Sequence, residues 1–176
     1  MILTLISTST ADDASSIDIT SGIDSTYDEY MFVYTNMHPN TNDRVLYIQF
    51  NAAGESGFNE TITSTAFRAK HTETDSAYEL TYEAGDDLAQ GTDGQALCHS
   101  NDNLTDGNAG GIIHLFNPSS TTFVKHFYAT NSTNRTEEHD FLFCAGYINT
   151  TAAIDEITFY MTSGTFDGVV QMYGVA

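Results

Sequence analysis

The feature that most constrains this chain is a period-two alternation of apolar and polar residues, which recurs in short runs from end to end. Tyr78, Leu80 and Tyr82 are separated by single polar residues, and Ile17 and Ile19 repeat the spacing. Because successive side chains of a strand point to opposite faces, such runs predict β-strands with one apolar face. The spacing of an amphipathic helix does not occur over any useful length.

Longer apolar runs and turn clusters complete the pattern. Residues 30–34 and 45–50 are almost continuously apolar, which is typical of central strands, whereas residues 53–57 and 117–120 are rich in turn-forming residues. About ten short strands at near-even spacing indicate a sandwich or jelly roll. We therefore predict an all-β fold, a single-domain antiparallel β-sandwich of jelly-roll type, over residues 1–176.

Two segments depart from this regular pattern. Residues 85–111 are rich in Gly, Asp and Asn around a short apolar island, so we predict a long polar loop with a functional or mobile role. Residues 1–9 begin with an apolar stretch that contains Ile2, Leu3, Leu5 and Ile6. This stretch is either an arm that adds a strand to a partner or the first strand of the domain itself.

The charge balance is strongly acidic, with 24 acidic residues against five Lys and Arg and a net charge of −19. Such a surface repels phosphate backbones, so we predict no nucleic-acid partner. It favours solubility in a salty medium, although an acidic face for a basic partner or a divalent cation is the alternative. No positively charged region precedes the apolar start, and no run is long enough to cross a bilayer. We therefore expect a soluble protein made in a cytoplasm, without a signal peptide or a membrane partner.

Candidate metal ligands do not fall into a known pattern. The stretch 102–107 resembles the start of an EF-hand loop, but Leu104 and Ile113 occupy positions that need oxygen ligands. We expect no metal, with one alternative left open: a calcium site that draws its ligands from among Asp86, Asp87, Asp93, Asp102 or Asp106. His114 and His126 lie inside apolar runs, and we interpret them as structural histidines.

Catalytic motifs are equally scarce. Cys98 and His99 are adjacent, so on a strand they would point to opposite faces and make a poor nucleophile–base pair. Cys144 lies in an apolar run and is interpreted as a small buried hydrophobic residue, although a disulfide between Cys98 and Cys144 stays open. Neither a nucleophile elbow nor a phosphate-binding loop is present. We predict that the chain is not an enzyme and needs no cofactor.

Four segments resemble small virion structural proteins of marine tailed bacteriophages, of the kind found in cyanophages and pelagiphages. They are residues 22–30, 115–127, 145–157 and 161–175, so the resemblance covers most of the chain outside residues 85–110. It implies a component of the virion, assembled in the host cytoplasm, and it carries no catalytic motif.

The resemblance leaves three functions to distinguish. The first is a capsid decoration (cement) protein that bridges major capsid subunits, as a homotrimer, with Ile2, Leu3, Leu5 and Ile6 as partner-binding residues. The second is a tail-associated adaptor or short tail-fibre protein that binds tail proteins and a receptor. The third is a carbohydrate-binding module on the same fold, in which Tyr would replace the absent Trp.

Overall fold

The computed structural model describes residues 2–176, which form thirteen β-strands and no helix. No helix that could span a membrane occurs among them. The strands are β1 (Leu3–Ala14), β2 (Ser16–Ile19), β3 (Glu29–Pro39), β4 (Leu46–Ala52), β5 (Ile62–Thr72), β6 (Tyr78–Tyr82), β7 (Ala89–Gly91), β8 (Gln95–Ala96), β9 (Asn108–Phe116), β10 (Lys125–Arg135), β11 (Glu138–Ile148), β12 (Ile154–Met161) and β13 (Phe166–Val175).

The strands form a large and a small sheet. The large sheet has the order β1-β13-β3-β9-β10-β11-β5-β6, with β7 also paired to β5, and the small sheet has the order β2-β12-β4-β8. Every pairing in both sheets is antiparallel. The prediction of an all-β antiparallel sandwich is therefore confirmed. Its jelly-roll connectivity is compatible with this strand order and stays a prediction.

The core lies between the two sheets and is built from the alternation seen in the sequence. Tyr30, Phe32 and Tyr34 of β3 all point inward and are fully buried. Phe159 of β12 faces them from the small sheet, with its ring centroid 6.3 Å from that of Phe32 and 6.0 Å from that of Tyr34. The apolar run 30–34 is thus a central strand, as predicted, flanked by β13 and β9.

The outer side of the small sheet, which we call the covered face, is closed over by loops. Gln49, Asn51 and Thr158 are buried although they point away from the core. The Gln49 Nε2 atom lies 3.1, 3.0 and 2.9 Å from the carbonyl oxygens of Glu60, Thr92 and Asp93. Polar side chains therefore tie the loops onto this sheet.

The N-terminal segment belongs to the large sheet. β1 pairs with β13 from Leu3, opposite Val175, to Ala14, opposite Phe166, with a bulge between Leu5 and Ser7. Of the two alternatives for residues 1–9, the structure shows the first strand of the domain rather than a detached arm, since the ladder hydrogen bonds begin at its start. Met1 lies outside the described residues.

The structure also corrects the prediction of a long polar loop over residues 85–111. The segment contributes β7, β8 and the start of β9, and its central part from Gln95 to Cys98 is buried. Asn101 is fully buried as well, and its Nδ2 atom donates to the Met37 carbonyl oxygen at 2.6 Å. Polar composition predicted exposure, but backbone carbonyl oxygens accept from the amide groups of Gln95 and Asn101, which favours their burial. The side-chain oxygen of each residue is buried without a partner within residues 2–176.

Candidate functional site: an uncharged sheet face and an acidic cleft

The outer side of the large sheet, which we call the open face, carries no Asp, Glu, Lys or Arg in three neighbouring cross-strand rows. Its members are Leu5, Tyr173, Met31, His114, Tyr128, Ala145 and Thr65 in the first row; Gln171, Val33, Ile112, Thr130, Phe143, Phe67 and Tyr82 in the second; and Gly110, Ser132, Phe141, Ala69 and Leu80 in the third. Because the chain has a net charge of −19, the absence of charged side chains from these rows means that the acidic residues are concentrated on other parts of the surface.

Aromatic rings stack across the open face. The ring of Tyr128 lies 4.6 Å from that of His114 and 6.2 Å from that of Phe143, with an interplanar angle of 16° in each case. Phe143 in turn stacks on Phe67 at 5.0 Å. The Nδ1 atom of His114 is 2.5 Å from a carboxylate oxygen of Glu29, which fixes the first ring of the series. The rings therefore form one continuous stacked series across β9, β10, β11 and β5.

Much of the open face is accessible to solvent, most of all near β6. Leu80 is 75% exposed, Tyr82 55% and Phe67 42%. With strands about 4.8 Å apart and rows about 7 Å apart, the three rows cover roughly 700 Å². The largest apolar patch on a typical monomer is about 300–600 Å², and larger ones mark interaction sites. The open face is thus an extended, uncharged surface with exposed apolar side chains concentrated near β6.

The predicted partner-binding residues lie at one edge of this sheet. Ile2, Leu3 and Leu5 are exposed beside the free edge of β1, and Leu5 belongs to the open face. Ile6, at the bulge, packs against the core instead. The structure therefore brings three of the four residues to a common exposed edge and turns the fourth inward.

All five Lys and Arg side chains are used within the fold, and none is exposed. Arg68 pairs with Glu83 at 2.7 Å and with Asp140 at 3.2 Å. Lys125 is fully buried and donates to the carbonyl oxygens of Thr150 and Ala152, and burial lowers its pKa. The solvent-facing charge of residues 2–176 is consequently acidic.

An acidic cleft opens where residues 85–94 meet the small sheet. The cavity has a volume of about 390 Å³, and Asp86, Asp87 and Asp93 line it together with Tyr47 and Tyr160. The two tyrosine rings stack at 5.6 Å. Burial raises the pKa of both phenols, and nearby carboxylates, Asp86 for Tyr47 and Asp93 for Tyr160, raise it further. Stacked rings beside carboxylates can hold a small polar or cationic ligand.

Beside this cleft, Glu83, Asp86 and His99 form a three-residue cluster. The His99 Nδ1 atom lies 3.0 Å from Asp86 Oδ2 and 4.0 Å from Glu83 Oε2. The hydrogen bond to Asp86 raises the pKa of His99, although partial burial opposes the shift. The sequence singles out His99 only as the neighbour of Cys98 and does not single out Glu83, because the proximity of Glu83 and His99 depends on how the segment after β8 packs beside the turn after β6.

The five acidic residues considered for calcium do not form one site. Asp86, Asp87 and Asp93 line the cleft, whereas Asp102 and Asp106 line separate depressions. Asp102 accepts hydrogen bonds from Thr136 and Leu104. Burial raises the pKa of Asp102, but these hydrogen bonds outweigh burial and place it below the usual value. Asp102 therefore acts as a structural acceptor.

Both cysteines are free and buried. Burial raises the pKa of each thiol to about 12. The prediction of Cys144 as a small buried hydrophobic residue is confirmed. Cys98 is a poor nucleophile at neutral pH, because only the thiolate reacts.

No protein-family model matches the chain, and no curated protein matches it significantly.

Proposed function

We propose that this chain is a structural subunit of a tailed-phage particle, specifically a capsid decoration protein that bridges major capsid subunits. The phage part of the proposal comes from the resemblance of the four segments described above. The observation that carries the structural role is the open face, an uncharged and aromatic sheet surface in a strongly acidic chain. In this proposal the chain has no catalytic role, no nucleic-acid partner and no membrane partner.

The composition of the open face suits permanent docking. Burying a charge without a partner is costly, and this face has no Asp, Glu, Lys or Arg to desolvate. Its rings offer large contact areas with little rotamer freedom to lose. Its area of roughly 700 Å² is close to the ~800 Å² that each partner contributes to a standard interface. A shell protein seated on this face would bury mostly apolar surface.

The two ends of the large sheet support side-by-side assembly. β1 is a long edge strand that contains no Lys or Pro, two residues that commonly protect such edges from pairing. At the opposite end of the sheet, β6 exposes Tyr78, Leu80 and Tyr82. Two different edges that contact each other form a heterologous interface, which closes into a ring when the rotation permits. A homotrimer is the ring that we propose.

Copy number tests the proposal. The amount of this chain in purified virions is measured by quantitative mass spectrometry against the major capsid protein. A decoration protein follows the symmetry of the shell and gives on the order of one copy per capsid subunit, or one trimer per local three-fold axis. A count on the order of ten would place the chain on the tail, and its absence from virions would reject the proposal.

Deleting residues 1–6 tests the predicted contact of Ile2, Leu3 and Leu5. The pairing of β1 with β13 continues from Ser7 to Ala14, so we expect the truncated domain to fold. We expect it to lose binding to particles that lack the protein, since three exposed apolar side chains disappear from the β1 edge. Full decoration by the truncated chain would show that this edge is not a contact.

A further inference from the structure

Two rigid segments bring Glu83, Asp86 and His99 together. Glu83 and Asp86 begin and end the tight turn that follows β6, in which the Asp86 amide donates to the Glu83 carbonyl oxygen at 3.1 Å. His99 follows β8, which is held to β4 by the Leu97 amide and the Leu46 carbonyl oxygen at 2.8 Å. The positions of all three residues are therefore set by backbone hydrogen bonds.

The donor atoms have a spacing that one ion can bridge. One atom from each of Glu83, Asp86 and His99 lies within 4.8 Å of the other two. Ligand atoms about 2.0–2.2 Å from a common ion are roughly 3.0–3.5 Å apart. The distance from His99 Nδ1 to Asp86 Oδ2 is already 3.0 Å, and that to Glu83 Oε2 is 4.0 Å. Small side-chain rotations are enough to complete the geometry.

The neighbourhood is short of positive charge. Glu83, Asp86 and Asp140 carry three negative charges, and Arg68 is the cation that pairs with two of them. The Asp140 Oδ2 atom is buried and has no hydrogen-bond partner within residues 2–176, although Asp140 is only 1% exposed. Three carboxylates and one guanidinium leave two negative charges when His99 is neutral. One divalent cation would compensate these two charges.

Neighbouring side chains already orient the potential ligands. Arg68 binds Oε1 of Glu83, which leaves Oε2 directed towards His99. The Gln95 Nε2 atom donates to the Asp86 carbonyl oxygen at 2.8 Å. Such outer contacts are typical of metal sites, where they fix the ligand orientation. The His99 side chain is 38% exposed, so an ion can reach the cluster from solvent.

We propose that Glu83, Asp86 and His99 form a binding site for a divalent transition-metal ion such as Zn²⁺, Mn²⁺ or Co²⁺. One imidazole nitrogen and two carboxylate oxygens suit these ions, whereas Ca²⁺ prefers six to eight oxygen ligands. Three protein ligands leave at least one coordination position for water or for a side chain from a partner. This site is independent of the open face.

Titration calorimetry on the folded, EDTA-treated protein tests the site, with ZnCl₂, MnCl₂ and CaCl₂ as separate probes. We expect one equivalent of Zn²⁺ or Mn²⁺ to bind and Ca²⁺ to bind far more weakly. Each metal that binds the folded state also raises the melting temperature. The cysteine thiols can bind Zn²⁺ once the chain unfolds, which would reduce the Zn²⁺-induced rise in melting temperature. The decisive measurements are therefore the titration of the folded protein and the melting temperature with Mn²⁺.

Matched variants identify the ligands. His99→Gln and Glu83→Gln should each weaken Zn²⁺ and Mn²⁺ binding at least tenfold. The control is His71→Gln, because His71 also pairs with a carboxylate, that of Asp75 at 3.2 Å, but belongs to no three-residue cluster within residues 2–176. The control should bind like the unaltered chain. The proposal would be overturned if the unaltered chain bound neither ion, or if the two ligand variants bound Zn²⁺ and Mn²⁺ as tightly as the unaltered chain.

Discussion

The two outer faces of the sandwich differ in which side chains are buried: the covered face buries polar residues, whereas the open face exposes apolar ones. On the covered face, Gln49, Asn51 and Thr158 are polar and yet buried beneath loops. On the open face, Phe67 and Leu80 are apolar and yet exposed. Outward positions of a sheet are therefore not equivalent. Their polarity follows what lies over them, and the open face has the composition of a surface that a partner covers.

Hydrogen bonds explain how the covered face stays closed without an apolar layer. Asn51 donates to the Glu55 carbonyl oxygen at 3.3 Å, and the Ala52 amide donates to Glu60 Oε1 at 3.0 Å, so both bonds hold the loop that follows β4. Directional bonds of this kind fix one loop arrangement within the chain. The open face relies on non-directional apolar contact and aromatic stacking, which suit docking of another surface.

The largest effect is expected from charge placed on the open face. The double variant Phe67→Glu/Leu80→Glu should weaken binding to undecorated particles more than a hundredfold, about 2.7 kcal/mol, because two carboxylates would be desolvated without partners. The control is Phe123→Glu, which alters a phenylalanine that is 68% exposed outside the sheets. Quantitative particle binding checks this, and equal binding by both variants would remove the open face from the interface.

On the covered face, the largest loss of stability is expected for Gln49→Ala. The change leaves three loop carbonyl groups without their donor and should lower the free energy of unfolding by about 2 kcal/mol. Gln171→Ala, on the open face, is the matched control and should change it by less than about 0.5 kcal/mol. Urea denaturation measures both, and similar losses would contradict the contrast between the faces.

A smaller effect is expected from the aromatic stack. Tyr128→Leu keeps an apolar side chain but removes the stacking on His114 and Phe143, which should cost about 1 kcal/mol of stability. Tyr78→Leu serves for comparison, because Tyr78 is 80% exposed. If the two variants unfold at the same urea concentration, the stack does not stabilise the folded state.

The smallest effect is expected at Asp155 of β12. Burial, followed by the charge of Glu156, raises the pKa of this carboxyl in the folded state. Folding therefore favours the protonated form, so the contribution of Asp155 to stability falls as pH rises from the unfolded pKa through the folded pKa. Asp155→Asn should raise the melting temperature slightly at pH 7 and leave it unchanged near pH 3. A destabilised variant at pH 7 would contradict this assignment.

The strands and the core could be predicted from the sequence, but the coverage of each face could not. Tyr78, Leu80 and Tyr82 were predicted to share one side of a strand, and the register with β5 places them on one side. Period-two spacing says which residues share a side, but not whether a second sheet, a loop or solvent lies over it. The apolar set on β6 therefore lies on the outer side rather than in the core.

The candidate sites were harder to predict because they depend on long-range pairing. His99 follows β8, which pairs with β4 of the small sheet, whereas Glu83 follows β6 of the large sheet, so their proximity depends on how the two sheets pack. The open face likewise combines residues from strands that are distant in the chain, such as Phe67 and Phe143. The sequence left an acidic calcium site open only as an alternative, and composition could not separate Asp86 from the structurally bonded Asp102.

The low exposure of the five Lys and Arg side chains also determines how readily proteases and labelling reagents attack the native protein. Trypsin cleaves after these residues, yet none of them is exposed, and Arg68, Lys70, Lys125 and Arg135 lie within strands of the large sheet. Proteolysis needs an exposed and flexible segment around the bond that is cut. The folded chain should therefore resist trypsin, and its two lysine amines should react slowly with acylating reagents until the sandwich opens.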